Sequence, residues 1–260
     1  MTLESLARNS TTALGYVASF ATILALWQYL SSQAIIPLLF PSPASTLRVG
    51  MQLMEEGRLT ADVAISLRRI AIGFAIGSIL GVSLGVLMGS FRLVRLCFDP
   101  YVQFFRSLPA LAWIPAAMVW LGTGEASKIA LLVYTTVFVV ALNTMIGVSG
   151  VAQNQVRAAR CFGVSPWQLF WMIRIPSTVS YMLTGMRLAM GTCFSTIVAA
   201  ELLAPKAGLG YLIFSSRTWM QTEFAFVGIV MLGLLGFAAD RIFLVASTRL
   251  FARYLPAGSR

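Results

Sequence analysis

No histidine occurs in this 260-residue chain, and only nine of its side chains are acidic. The commonest metal ligand, and the one side chain that titrates near neutrality, is therefore missing. No paired carboxylates and no Ser-His constellation can be assembled, which disfavours an enzyme and leaves no cofactor or metal to expect. Cysteine is scarce too. Cys97, Cys161 and Cys193 stand far apart with no CxxC pair, so neither a zinc site nor a disulfide framework is indicated. There is no G-x-x-x-x-G-K-[ST] loop to hold a nucleotide. Charged residues make up 11% of the chain, where soluble domains carry about a quarter.

What is present is apolar: 58% of residues, with 17 Phe, 12 Met and six Trp, and a mean hydropathy of +0.82. That composition belongs in a bilayer. The net charge of +10 does not point to nucleic acid, because the 19 basic residues are strung between long uncharged runs instead of gathered on one face. The opening Met1-Thr2-Leu3-Glu4 lacks a basic n-region, and the apolar stretch after Arg8 has no small-residue cleavage site. A retained anchor is expected.

An ionised side chain at mid-bilayer costs about 2.5–3.5 kcal/mol on insertion scales, so gaps between charges mark the crossings. Six are expected, near 12–30, 70–91, 100–121, 129–148, 179–200 and 224–245, giving an all-α polytopic membrane protein. The uncharged run Ile70–Phe91 has 22 residues. At about 1.5 Å each these reach roughly 33 Å, enough for a hydrocarbon core of about 30 Å. Pro37, Pro41 and Pro43 predict an extended segment after the first crossing. Pro100, Pro109 and Pro115 predict a kinked or partly unwound third one. Six crossings place both termini on one side. The loops on that side hold ten Lys and Arg against seven opposite, Lys206 among the latter, so both termini are expected in the cytoplasm.

Span two carries Gly73, Gly77, Gly81, Gly85 and Gly89, one glycine at every fourth position. Small-xxx-small rows let backbones approach where lipid gives no hydrophobic drive, so a neighbouring helix is expected on this ridge. The pattern does not recur in the second half, which weakens an inverted-repeat transporter in one chain and suggests that two chains assemble. Arg106 and Arg187 fall within crossings. Each is either snorkelled, paired with Asp99 or Glu201, or lines a wet path through the spans. Glu201 is read as structural or as facing an external protein. A gradient-driven secondary transporter is the rival class, but it would want more protonatable groups inside the spans.

The segment 151–176 is too polar and Arg-rich to cross. Ser165-Pro166-Trp167-Gln168 has the order of an N-cap, a proline at the first helical position and a Gln that closes a capping box. Gly163 suits the left-handed position that ends a preceding helix. Two short helices should therefore meet at a sharp turn. Ala158 and Ala159 would give the first a smooth side for another protein, while Trp167, Leu169, Phe170 and Trp171 would dock at the membrane face.

Arg157-Ala158-Ala159-x-x-x-Gly163, nine further residues, then Ile173-Arg174-Ile175-Pro176, resembles the EAA loop of type I ABC importer permeases. Two positions depart from that pattern: Arg157 replaces the usual Glu, and Ile175 replaces Leu. Pro41-Ser42-Pro43, Ser66-Leu67-Arg68-Arg69, the run 108–115, the run 122–128 and Gly185-Met186-Arg187-Leu188-Ala189 are similar to the nitrate, sulfonate and taurine branch. The stretch 195–202 with Gly208-Leu209-Gly210-Tyr211 is most similar to taurine permeases. Bicarbonate, cyanate and pyrimidine-precursor carriers share much of the pattern.

The resemblance implies a permease subunit in the bacterial inner membrane that hydrolyses nothing itself. It implies that Arg157, Ala158, Ala159, Gly163, Ile173 and Pro176 form a coupling helix seated on an ATPase, with two ATPase copies, a permease homodimer and a periplasmic binding protein completing the machine. Arg106 and Arg187 are the candidates for the substrate path.

Overall fold

The computed structural model describes residues 3–33, 39–202, 207–252 and 254, with side chains from Gly15 onward except Val17. Pro37 and Lys206 lie outside the described residues. All regular elements among those described are helical: α1 (Leu3–Gln33), α2 (Pro43–Glu55), α3 (Arg58–Ser90), α4 (Arg92–Ser107), α5 (Ile114–Leu121), α6 (Glu125–Ser149), α7 (Gln153–Cys161), α8 (Pro166–Leu169), α9 (Ile175–Leu202), α10 (Leu209–Thr218) and α11 (Thr222–Leu250). Four of them are long and apolar enough to cross a membrane, α3, α6, α11 and the run through α8 and α9, and a bent pair makes up to five. The first expected crossing falls inside α1, a helix of 31 residues.

The chain forms two compact units. The smaller comprises Met1–Thr60 and Leu212–Val230. In it, Trp27 Nε1 donates to the Pro41 carbonyl at 3.0 Å and Ser31 Oγ to that of Phe40 at 2.9 Å. Phe226 packs against the rings of Trp27 and Phe40. The proline segment is not extended throughout, as expected, but turns into α2 at Pro43. Ser42 caps the helix through Ser45 N, and Pro43 sits where its missing N–H has no cost.

The larger unit comprises Ala61–Tyr211 and Met231–Arg260. Its spine is the glycine ridge. Gly73, Gly77, Gly81, Gly85 and Gly89 face Leu132, Thr136, Val140, Thr144 and Val148, each 59 residues further on, so α3 and α6 run parallel in one register. The knobs on α6 are themselves spaced by four, and four of the five are β-branched, with one strongly preferred rotamer in a helix or, for Thr, two. A methyl group on Gly81 would lie 2.8 Å from both the Val137 carbonyl oxygen and Val140 Cβ. Helix α9 packs antiparallel on α6 through Gly147 against Thr178 and Tyr181, and Gly185 against Asn143.

The third crossing is broken more sharply than expected. Helix α4 starts at Arg92 and ends at Ser107, and a 3₁₀ turn (Ala110–Trp113) leads into α5, with a bend of 95° between the halves. Leu108 is extended ahead of Pro109, whose ring disfavours helical backbone in the residue before it. The carbonyls released at the break accept from the Tyr134 hydroxyl, which reaches Phe105 O and Leu108 O. Pro100, by contrast, sits within α4.

Candidate functional site: tip, cavity and closed end

The segment between α6 and α9 is folded as its sequence indicates, around a core of its own. Gly163 has φ 74°, and Val164 N donates to Ala159 O at 3.2 Å while Gly163 N donates to Arg160 O at 3.0 Å. These paired bonds close α7 as a Schellman turn. Ser165 and Gln168 complete the reciprocal box: Gln168 N donates to Ser165 Oγ, and Ser165 N donates to Gln168 Oε1. A five-residue π turn (Phe170–Arg174) then feeds into α9, with Pro176 in its first turn.

One expectation is corrected here. Ala159 and Leu169 do not face outward, because they are buried with Val156 beneath Val151, Val164 and Ile173. The outer surface is instead Arg157, Ala158, Arg160, Cys161 and Phe162, the last 87% exposed, with Trp167 at 69%. Gly163 lies at the exposed turn, and Ile173 and Pro176 are half-buried. Of the six coupling positions, Arg157, Ala158 and Gly163 are presented, whereas Ala159, Ile173 and Pro176 hold the presentation in place.

A second feature lies within the larger unit. A cavity of about 680 Å³ opens between α4, α6 and α9, with Gln103, Arg106, Ser107 and Asn143 as its polar groups and Leu142 and Leu188 among its apolar ones. Arg106 is exposed, and its side chain forms no ion pair or hydrogen bond among the described residues. Arg187 is placed differently. Its Nε and Nη2 reach both carboxylate oxygens of Asp240 on α11 at 2.6 and 2.8 Å. Neither cation pairs with Asp99 or Glu201. Arg187 is thus neutralised in a two-pronged tie between α9 and α11, and the cation on the cavity wall is Arg106.

The third feature closes the opposite end of the same unit, where α3 and α6 begin and α9 ends. Glu201 is fully buried. Its Oε1 accepts from Ser66 Oγ at 2.7 Å and Arg69 Nη1 at 2.8 Å, and its Oε2 accepts from Gly210 N at 2.7 Å. Both carboxylate oxygens are therefore engaged by donors from within the same unit. Arg69, also buried, donates Nε to Glu125 at 2.8 Å and Nη1 to Ala207 O at 2.8 Å. Asp62 accepts from Gly208 N at 2.7 Å, and Ser66 Oγ from Leu209 N at 3.0 Å. Gly208, at φ 119°, lies so close to the Glu201 carboxylate that no side chain fits. Sequence reasoning identified Glu201 alone. Arg69 and Gly208 stood in motifs noted only for likeness, and the available signal is an acid and a base placed at the ends of two apolar runs.

Among the described residues no group of His, Cys, Asp and Glu could hold a metal ion. Comparison with known proteins gives these arrangements a context. The family described as the binding-protein-dependent transport system inner membrane component matches residues 73–251. A probable ABC transporter permease protein of Brucella melitensis is 35% identical over 89% of this chain and 94% of its own length. The taurine transport system permease protein TauC of Escherichia coli is 34% identical over 90% of this chain and 86% of its own. The nitrate import permease protein NrtB of a Synechocystis strain is 30% identical over 86% and 84%. In fold, the chain is similar to a solved amino acid ABC transporter, with a TM-score of 0.59 at 16% identity over 79% of this chain and 97% of that one.

Proposed function

Because this chain belongs to the family of binding-protein-dependent transport system inner membrane components, we propose that it moves a small oxyanion, taurine or another alkanesulfonate, past Arg106. The coarser statement is plain: it is a multi-pass, non-catalytic permease subunit of an ABC importer in the inner membrane. ATP hydrolysis falls to a separate ATPase, and cargo arrives from a binding protein.

The single observation that carries the substrate reading is the cavity between α4, α6 and α9, where an unpaired guanidinium stands beside amide and hydroxyl groups. An anion needs such donors and few carboxylates, and none of the lining residues is acidic. Arg157, Ala158 and Gly163 form the handle by which the ATPase acts, because they are exposed on a segment stiffened by two caps and its own core. Two copies of the permease form the pathway. This reading draws support from the exposed Ile146 and Leu188 on the cavity wall, which one chain leaves uncovered. The tip and both termini are cytoplasmic in this scheme, and two ATPase subunits engage two tips.

The test is uptake by the reconstituted importer, with labelled taurine competed by methanesulfonate and by nitrate. Arg106→Ala is expected to lower uptake by about tenfold or more, since a charge-assisted hydrogen bond contributes roughly 1.5–3 kcal/mol. Undiminished uptake at equal expression rejects the role of Arg106, and competition by nitrate alone reassigns the cargo.

A further inference from the structure

At the root of the tip, where α3 and α6 end and α4 begins, a cavity of about 450 Å³ is lined by Arg92, Arg95, Arg157, Arg160 and Arg174. No acidic residue lines it. None of the five side chains makes an ion pair or hydrogen bond among the described residues, although they come from three separate elements. Two internal sources of negative potential are near. The C-termini of α3 and α6 open on this cavity, and each supplies roughly half a negative charge. Asp99 lines an adjoining hollow with Arg92 and Arg95. Crediting both sources in full still leaves roughly three positive charges uncompensated. The positive-inside tendency accounts for arginines at this end, but not for their convergence on one recess.

We propose that this five-arginine recess binds the oxyanion head of a small ligand, a phosphate or a sulfonate, with the phosphate of an anionic phospholipid as its principal occupant. Basic pockets between membrane helices at their polar ends are suited to such headgroups. The flank supplies the matching apolar half: Leu93 and Leu96, each next to one of the two α4 arginines, are 78% and 62% exposed. A headgroup among the guanidinium groups would leave its acyl chains beside these residues. The replacement of the usual Glu by Arg at position 157 belongs to the same arrangement, since a carboxylate there would remove one favourable charge and add a repulsive one. The inference stands apart from the identity of the cargo and from the path past Arg106.

The experiment uses the intact permease–ATPase complex, purified from mixed vesicles of phosphatidylglycerol and phosphatidylcholine, with retained lipid measured by native mass spectrometry. Selective retention of phosphatidylglycerol is expected, falling about fivefold for each arginine removed in Arg92→Gln and Arg95→Gln. The Arg92→Lys and Arg95→Lys pair should retain most of it, which separates charge from misfolding. A second arm measures thermal stabilisation of the same complex by inorganic phosphate and by methanesulfonate. Stabilisation that the Gln variants lose, without lipid selectivity, keeps the oxyanion site and changes its occupant to a free anion. No lipid preference and no anion effect, or effects that persist in the Gln variants, overturns the proposal.

Discussion

The two ends of the larger unit treat charge in opposite ways. At one, Arg69 and Glu201 are buried and each polar group reaches a partner within the chain. At the other, five guanidinium groups surround a recess and have none. Apolar side chains follow the same division. The tip leaves Phe162 and Trp167 largely exposed, whereas at the closed end Leu209 and Ala200 are fully buried. A buried ion pair left incomplete would be strongly destabilising, so the closed end is self-sufficient by necessity. The open end has its unsatisfied groups on the surface, where water can serve them. The difference separates an end whose charges are satisfied within the chain from an end whose charges are not.

The largest effect is expected at the closed end. Glu201→Ala removes one carboxylate from buried Arg69 and orphans Ser66 and Gly210, costing about 3–5 kcal/mol. Thermal unfolding in detergent would read it, and a loss below about 1 kcal/mol would erase the contrast between the ends. Gly81→Ala comes next, at about 1–3 kcal/mol, because its methyl meets backbone. Gly191→Ala, with nothing within 4 Å, should instead be neutral or slightly stabilising. Third, Gly163→Asp costs about 1 kcal/mol through its positive φ, yet should abolish co-purification of the ATPase while the chain remains in the membrane. Retained association and transport would remove the tip from the coupling path. Arg187→Ala is the smallest: its pair with Asp240 is 44% and 32% exposed, so stability should change by about 0–1 kcal/mol in the same unfolding assay.

Features governed by neighbours in sequence were legible without coordinates. Four of the charge gaps fall on α3, α6, α9 and α11, the glycine row announced a close neighbour, and Gly163 with Ser165 and Gln168 gave the tip its turn and cap. The partner of the glycine row was not evident, because Leu132, Thr136, Val140, Thr144 and Val148 carry no composition signal beyond ordinary apolar helix. The closed end was illegible for a related reason: Ser66 and Glu201 are separated by 135 positions, and no local period links them. Proline predicted a break in the third crossing, but neither its 95° angle nor the uptake of the freed carbonyls by Tyr134 could be read from Pro109 itself. Ala159 misled because a small residue on a short helix looks the same whether it meets a partner or its own core.

The fixed offset between α3 and α6 sets what motion the permease can transmit. Each glycine notch holds one tooth of the facing helix, so sliding by a fraction of a turn would drive five side chains into backbone at once. The next permitted seat is four residues away, about 6 Å along the axis. A push on the proposed handle would therefore not be spent as gradual slip between these two rods. It must swing them together as one lever or advance them by a whole notch.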